Sequence, residues 1–180
     1  LIQPTLYANI TKGELTVTGM NSSNKVYDGN TAATLVGVPT LDGVVPGDEV
    51  SLVVTTGGPF GSFSSAKAEN NKPVSVSGLD IDGSAKGKYT LTLPTLQANI
   101  TQKELVVTGL NANHKVFDGN TTATLVGTPV LNGQEPGDVV NLVISEGGAV
   151  GTFENAEKGF DKPVSISGLD INESAKVNYT

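Results

Sequence analysis

Apolar and polar residues alternate in short runs along this chain, with the two-residue period of half-buried strands. Leu15 and Val17 share one phase, with Thr16 and Thr18 on the other. Val50, Leu52 and Val54 alternate with Ser51, Val53 and Thr55, and Val74 and Val76 with Ser75 and Ser77. Tyr89, Leu91 and Leu93 form one face, and Leu96, Ala98 and Ile100 another. Turn signals punctuate these runs: Asp28-Gly29, Asp42-Gly43, Pro46-Gly47-Asp48, Gly57-Gly58 and Asp82-Gly83. Such dipeptides suit positive or preset φ angles. No segment carries a helical apolar stripe; Ser64–Asn71 and Glu154–Asp161 have room for a helical turn at most. The pattern predicts an all-β chain of six or seven short strands per unit, arranged as tandem immunoglobulin-like β-sandwich modules. A β-grasp-like module with one short helix over 64–71 is the alternative.

The unit is set by an internal repeat. Shifted by about 90 residues the chain aligns with itself without a gap, with roughly 53 of about 90 positions identical. The second copy keeps the apolar phase, in Leu105/Val107, Val140/Leu142/Ile144 and Val164/Ile166. A one-residue slip would turn every strand inside out, so this shared phase carries the core. Pro94–Thr101 also has a near-copy at Pro4–Thr11. If that strand closes a module, residues 1–11 are the closing strand of a preceding module. The modules then run 12–101 and 102–180, and the second lacks its closing strand. The other division, 1–90 and 91–180, makes the strand an opening one. The first is preferred, because Thr11-Lys12-Gly13 and Thr101-Gln102-Lys103 read as short polar joints.

Composition narrows the function. The net charge is −7, arginine is absent and the lysines are scattered, so no basic stripe tracks a phosphate backbone and no nucleic-acid partner is expected. No run approaches a membrane span, so no membrane insertion is expected. There is no cysteine. Thr, Ser, Asn and Gly are abundant and aromatics few, the composition of a secreted, strand-rich polar surface. An enzyme is not expected. The single histidine, His114, is Asn24 in the other copy, and no cysteine offers a nucleophile. Paired carboxylates fail to recur, since Asp48-Glu49 becomes Asp138-Val139 and Asp80/Asp82 becomes Asp170/Asn172.

Lys25-Val26-Tyr27-Asp28-Gly29-Asn30-Thr31-Ala32-Ala33-Thr34 resembles the signature of the YDG-repeat modules of large bacterial surface proteins and filamentous-haemagglutinin-type adhesins. Pro46-Gly47-Asp48, Gly61-x-Phe63, Lys72-Pro73-Val74 leading to Gly78-Leu79, and Lys88-Tyr89-Thr90-Leu91 extend the resemblance over essentially the whole chain. The second copy departs from it in carrying Phe117 for tyrosine, so a phenol hydroxyl is not essential there. The resemblance implies a β-rich, extracellular building block without catalytic residues. The expected function is a stalk or spacer that projects a binding region from the cell, with neighbouring repeats of the same chain as partners. The alternative is that the modules themselves bind a host receptor, a glycan or a sister chain.

Cofactors are not expected, with calcium the one candidate. Oxygen ligands are offered by Glu14, Asp28, Asp80 and Asp82, and by Glu104, Asp118, Asp170 and Asn172, but no complete calcium-loop pattern surrounds them. Asp28 and Asp118 also fit a simpler role as turn residues capping backbone N–H groups, beside a core aromatic at 27 or 117. Lys25/Lys115 and Lys72/Lys162 are the lysines available for a Lys–Asn isopeptide crosslink.

Overall fold

The computed structural model describes residues 1–180 and resolves into two compact units. One comprises Leu1–Lys25 and Asn30–Ile100; the other comprises Val26–Gly29 and Thr101–Thr180. The fold is all-β. Neither 64–71 nor 154–161 is helical, which removes the helix on which the β-grasp alternative depends. The one helical element is a 3-10 turn at Lys86–Lys88.

In the first unit β1 (Gly13–Ser22) lies between β4 (Leu35–Asp42) and β9 (Tyr89–Thr92). The β1–β4 pair is antiparallel, whereas β1 and β9 run parallel with Gly13 opposite Tyr89 and Thr16 opposite Thr92. A second sheet has the order β2 (Lys25–Val26), β10 (Thr95–Thr101), β7 (Glu69–Ser77), β6 (Phe60–Phe63), β3 (Ala32–Ala33). β5 (Ser51–Val54) pairs with β8 (Leu79–Asp82). The strands exceed the six or seven expected because two-residue pieces such as β2 and β3 lie too close to turns to show any alternation.

The core of this unit follows the predicted phase. Leu15 and Val17 on β1, Val74 and Val76 on β7, and Ala98 and Ile100 on β10 are buried, with exposed or half-buried residues between them. Val17, Val76 and Leu79 pack together under Leu52, Leu91, Leu93 and Leu96, so side chains from both sheets meet in one layer. Leu15, Ile81, Ala85 and Tyr89 make a neighbouring cluster. Burying a Leu or Ile side chain contributes about 1.5–3 kcal/mol. The phase fails at Val54, which ends β5 and stays exposed. It also breaks after Thr18, where the β1–β4 register shifts at a bulge. Gly19 and Gly37 face each other there at φ 77° and 94°. A Cβ on Gly37 would stand 2.2 Å from the Gly19 carbonyl oxygen, so the crossing admits no side chain.

The second unit repeats the plan. β11 (Val106–Ala112) pairs with β13 (Leu125–Asn132), with the same register shift after Thr108. β12 (Thr122–Ala123), β15 (Val150–Phe153) and β16 (Val164–Ser167) form a sheet, and β14 (Leu142–Ile144) pairs with β17 (Leu169–Ile171). Lys103 bridges in parallel to Tyr179, matching the start of β1–β9. The apolar phase is kept but less deeply covered: Leu105, Val107 and Leu142 are half-buried, and Ile144 and Ile166 are exposed. In the first unit Leu91, Leu93 and Leu96 pack over the corresponding cluster of Val17, Val76 and Leu79. A cleft of about 350 Å³ opens between Leu105, Val107, Leu142, Leu169 and Tyr179. Residues 1–12 carry no regular structure and are exposed.

Candidate functional site

Two polar arrangements recur in both copies, and both are built from the motif residues. The first is an aspartate–tyrosine clamp. Pro46-Gly47 turns the chain so that Asp48 projects from the loop before β5. Tyr89, at the start of β9, donates its hydroxyl hydrogen to Asp48 Oδ2 at 2.7 Å and accepts from the Val45 N–H at 3.1 Å. Lys88 Nζ donates to the other carboxylate oxygen at 2.6 Å. The Lys88 ammonium, and then the Tyr89 hydroxyl, hold the Asp48 carboxyl below its ordinary pKa. The same aspartate, and then burial, push the Tyr89 phenol up.

In the second unit Asp138 and Tyr179 occupy these places. Tyr179 donates to Asp138 Oδ2 at 2.5 Å and accepts from the Glu135 N–H at 2.9 Å. Asn178 stands where Lys88 does. The second donor to Asp138 is Tyr27 instead, whose hydroxyl lies 2.8 Å from the same oxygen. The rings of Tyr27 and Tyr179 meet edge to face, 5.3 Å between centroids. Lys103 pairs with Glu135 beside them. Burial first, and then the bond to Asp138, push the Tyr27 phenol up to about 12. Burial likewise raises Tyr179.

This shift sets an alkaline limit for the second unit. The folded pKa of Tyr27, about 12, lies above its ordinary value of 10.0, so the fold favours the neutral phenol. The resulting stabilisation is whole below pH 10 and is lost as pH rises through about 12. Tyr27→Phe is expected to cost about 1 kcal/mol at neutral pH, the net worth of one hydrogen bond, and to flatten that alkaline loss. Phenolate absorbance against pH, read alongside unfolding, checks this. A Tyr27 that titrates at the value of a free tyrosine contradicts it.

The second arrangement is the loop of the Lys-x-x-Asp-Gly-Asn motif. Lys25 Nζ donates to the carbonyl and side-chain oxygens of Asn30 at 2.9 and 3.0 Å and lies 5.5 Å above the Phe63 ring. Lys115 does the same with Asn120, at 2.7 and 2.9 Å, and lies 5.6 Å above Phe153. Asn30 and Asn120 then accept from the N–H groups of Ala32 and Thr122 at 2.9 and 3.0 Å. The capping role expected of the aspartate is thus shared with the asparagine two residues later. Asp118 does accept from the Asn120 N–H at 3.1 Å and from Lys115 at 2.8 Å. Its carboxyl is held low, by Lys115 first. Tyr27 is a buried aromatic as expected, but Phe117 is exposed. Phe117 has no partner equivalent to the Asp138–Tyr179 pair that encloses Tyr27.

The calcium candidates are dispersed. Glu14 accepts from the Thr92 hydroxyl at 2.7 Å, and Asp80 from the Ile81 N–H at 2.8 Å. Asp82 pairs with Lys86 and Asp170 with Lys176, and in both the lysine is the first cause of a lowered carboxyl pKa. Asn172 accepts from the Asn141 N–H at 2.7 Å. Glu104 is exposed. The set comes together nowhere, and no three His, Cys, Asp or Glu side chains gather as metal ligands. Lys72 is buried, with Nζ 2.8 Å from the Lys67 carbonyl and 3.0 Å from Glu69, so no asparagine side chain meets it. Sequence reasoning missed the aspartate–tyrosine clamp, although its signal was present: Asp and Tyr stand 41 residues apart in both copies.

No helix is long and apolar enough to cross a membrane. Neither the curated proteins nor the solved structures compared with the chain gave a match. The model of one family, described as the YDG domain, matches residues 11–98 and again 101–180. The matched segments take in the Lys-x-x-Asp-Gly-Asn loop and the aspartate–tyrosine clamp of each copy, and on that match the chain belongs to the YDG domain family.

Proposed function

We propose that this chain is a structural stretch of a bacterial cell-surface or secreted adhesin: a pair of spacer modules that project a binding region away from the cell. It works outside the cell, without catalysis and without a cofactor, and its partners are neighbouring repeats. The observation that carries this reading is the contrast between what the two copies share and what they do not. The shared polar groups, Asp48/Asp138 with Tyr89/Tyr179 and Lys25/Lys115 with Asn30/Asn120, are spent on holding loops to strands. No exposed aromatic recurs. Phe60 is Val150 in the other copy, Phe160 is Asn70, and exposed Phe117 corresponds to buried Tyr27. A binding module repeated in tandem would keep its contact residues in both copies, since ligand recognition rests on a few anchoring side chains.

The test is solid-phase binding of the 180-residue chain to host cells, matrix proteins and a glycan array. The expected result is no saturable binding. Saturable binding that is lost when one surface patch is substituted would show that the modules themselves are the adhesive element.

A further inference from the structure

Two phenols of the second unit meet at a single carboxylate oxygen. Tyr27 and Tyr179 both belong to this unit, although they lie far apart in the chain. Their hydroxyls donate to the same Oδ2 of Asp138, at 2.8 and 2.5 Å. Their rings meet edge to face, with centroids 5.3 Å apart and planes inclined at 77°. Both side chains are buried, at 6% and 2% exposure, while Asp138 is half-buried. The clamp itself needs only one tyrosine. In the first unit Tyr89 shares Asp48 with Lys88, and no second phenol takes part. The pairing of Tyr27 with Tyr179 is therefore surplus to the task of holding a loop to a strand.

We propose that Tyr27 and Tyr179 form a modification site, at which a one-electron oxidant joins the two rings as dityrosine. Each phenol gives one electron to the oxidant and its hydroxyl proton to Asp138, which passes the proton to solvent. Electron and proton leave together, so no cationic radical is stranded in a buried place, where an unpaired charge is costly. The unpaired electron of a phenoxyl radical resides partly on the carbons ortho to its oxygen. Those carbons flank the hydroxyls, and the two hydroxyls converge on one oxygen. The edge-to-face contact already sets the edge of one ring against the other. Burial keeps foreign phenols away, so the held pair couples within the chain. One carbon–carbon bond forms, and the hydrogen on each bonded carbon moves to its own phenol oxygen. The net loss is two electrons and two protons. The product closes a long loop between Tyr27 and Tyr179, and so removes freedom from the unfolded chain.

Photo-oxidation of the full chain by ruthenium tris-bipyridyl with persulfate, a one-electron oxidant, tests this. Tyr7 is 91% exposed, and its consumption in the wild-type chain shows that the oxidant is active. The measurement itself is made on Tyr7→Phe, which leaves three of the four tyrosines. The expected product is a monomer lighter by two hydrogens, with dityrosine fluorescence. Its tryptic digest joins residues 26–67 to residues 177–180. Tyr27→Phe and Tyr179→Phe are each expected to lose this product entirely, and Tyr89 is expected to stay uncrosslinked. Asp138→Asn keeps the shape but not the proton acceptor, and is expected to slow the reaction about 100-fold. Oxidation that yields no monomeric crosslink overturns the proposal, as does a crosslink that survives Tyr27→Phe. An undiminished rate in Asp138→Asn overturns it equally, because the carboxylate then takes no proton.

Discussion

Gly37→Ala is expected to unfold the first unit while leaving the second folded. Gly37 sits at φ 94°, where an alanine is strained by about 1–2 kcal/mol even in open space. Here the space is closed as well: the new Cβ would be 2.2 Å from the Gly19 oxygen, and that carbonyl belongs to the facing strand. Neither backbone can retreat without parting the β1–β4 ladder, which bears Val17 and Leu15 into the core. The total cost is about 3 kcal/mol or more, a large part of what a domain of this size possesses. Gly127→Ala, whose Cβ would be 2.1 Å from the Gly109 oxygen, is expected to do the same to the second unit. Gly47→Ala is the control. Its φ is also 94°, but a Cβ there meets nothing within 4 Å, so the loss stays near about 1 kcal/mol. Calorimetry of the three variants separates conformational strain from collision. Equal losses for Gly37→Ala and Gly47→Ala would refute the collision argument.

Ile100→Ala has the next largest expected effect, about 2–5 kcal/mol against the first unit alone. Ile100 is 1% exposed at the end of β10, and its removal empties a site that the surrounding strands cannot collapse to fill. Amide hydrogen exchange is the informative readout. Protection is expected to fall along β7 from Glu69 to Lys72, the part that pairs with β10 and not with β6, while β6–β7 amides keep theirs. Uniform loss of protection across the unit would mean that β10 is part of the global fold and not a separable closing strand.

How far the sequence can be read depends on the range of each interaction. Alternation is a local property, so the burial of Leu15/Val17, Val74/Val76 and Ala98/Ile100 is legible in the order of residues alone. Lys72 shares the phase of Val74 and Val76, and its burial is therefore legible too, although its charge argues against it. Its carbonyl and carboxylate partners at Lys67 and Glu69 lie in the bend before β7 and at its first residue, where no periodicity speaks. The bulge at Gly19 is invisible, because two glycines that face each other across strands are ordinary glycines in the sequence. The pairing of Asp48 with Tyr89 depends on which strands become neighbours, and β1, lying between β4 and β9, is what brings them together. The difference between Tyr27 and Phe117 is likewise beyond local reading. Identical turns flank both rings, and the Asp138–Tyr179 pair around Tyr27 is a set of partners that Phe117 lacks.

The parallel ladder between β1 and β9 has a mechanical consequence. Gly13 lies beside Tyr89, and Thr16 beside Thr92, so the entry of the first strand and the exit of the ninth are at opposite ends of one ribbon. Tension applied at Gly13 and Thr92 runs along the strands and loads every rung of the ladder in shear at the same moment. An antiparallel hairpin pulled from its open end gives way one rung at a time. The second unit begins the same parallel ribbon, with Lys103 receiving the N–H of Thr180 at 3.0 Å and Leu105 donating to Thr180 at 2.8 Å. Loaded in this way, a ribbon resists with the joint strength of its rungs, not with that of its weakest single bond.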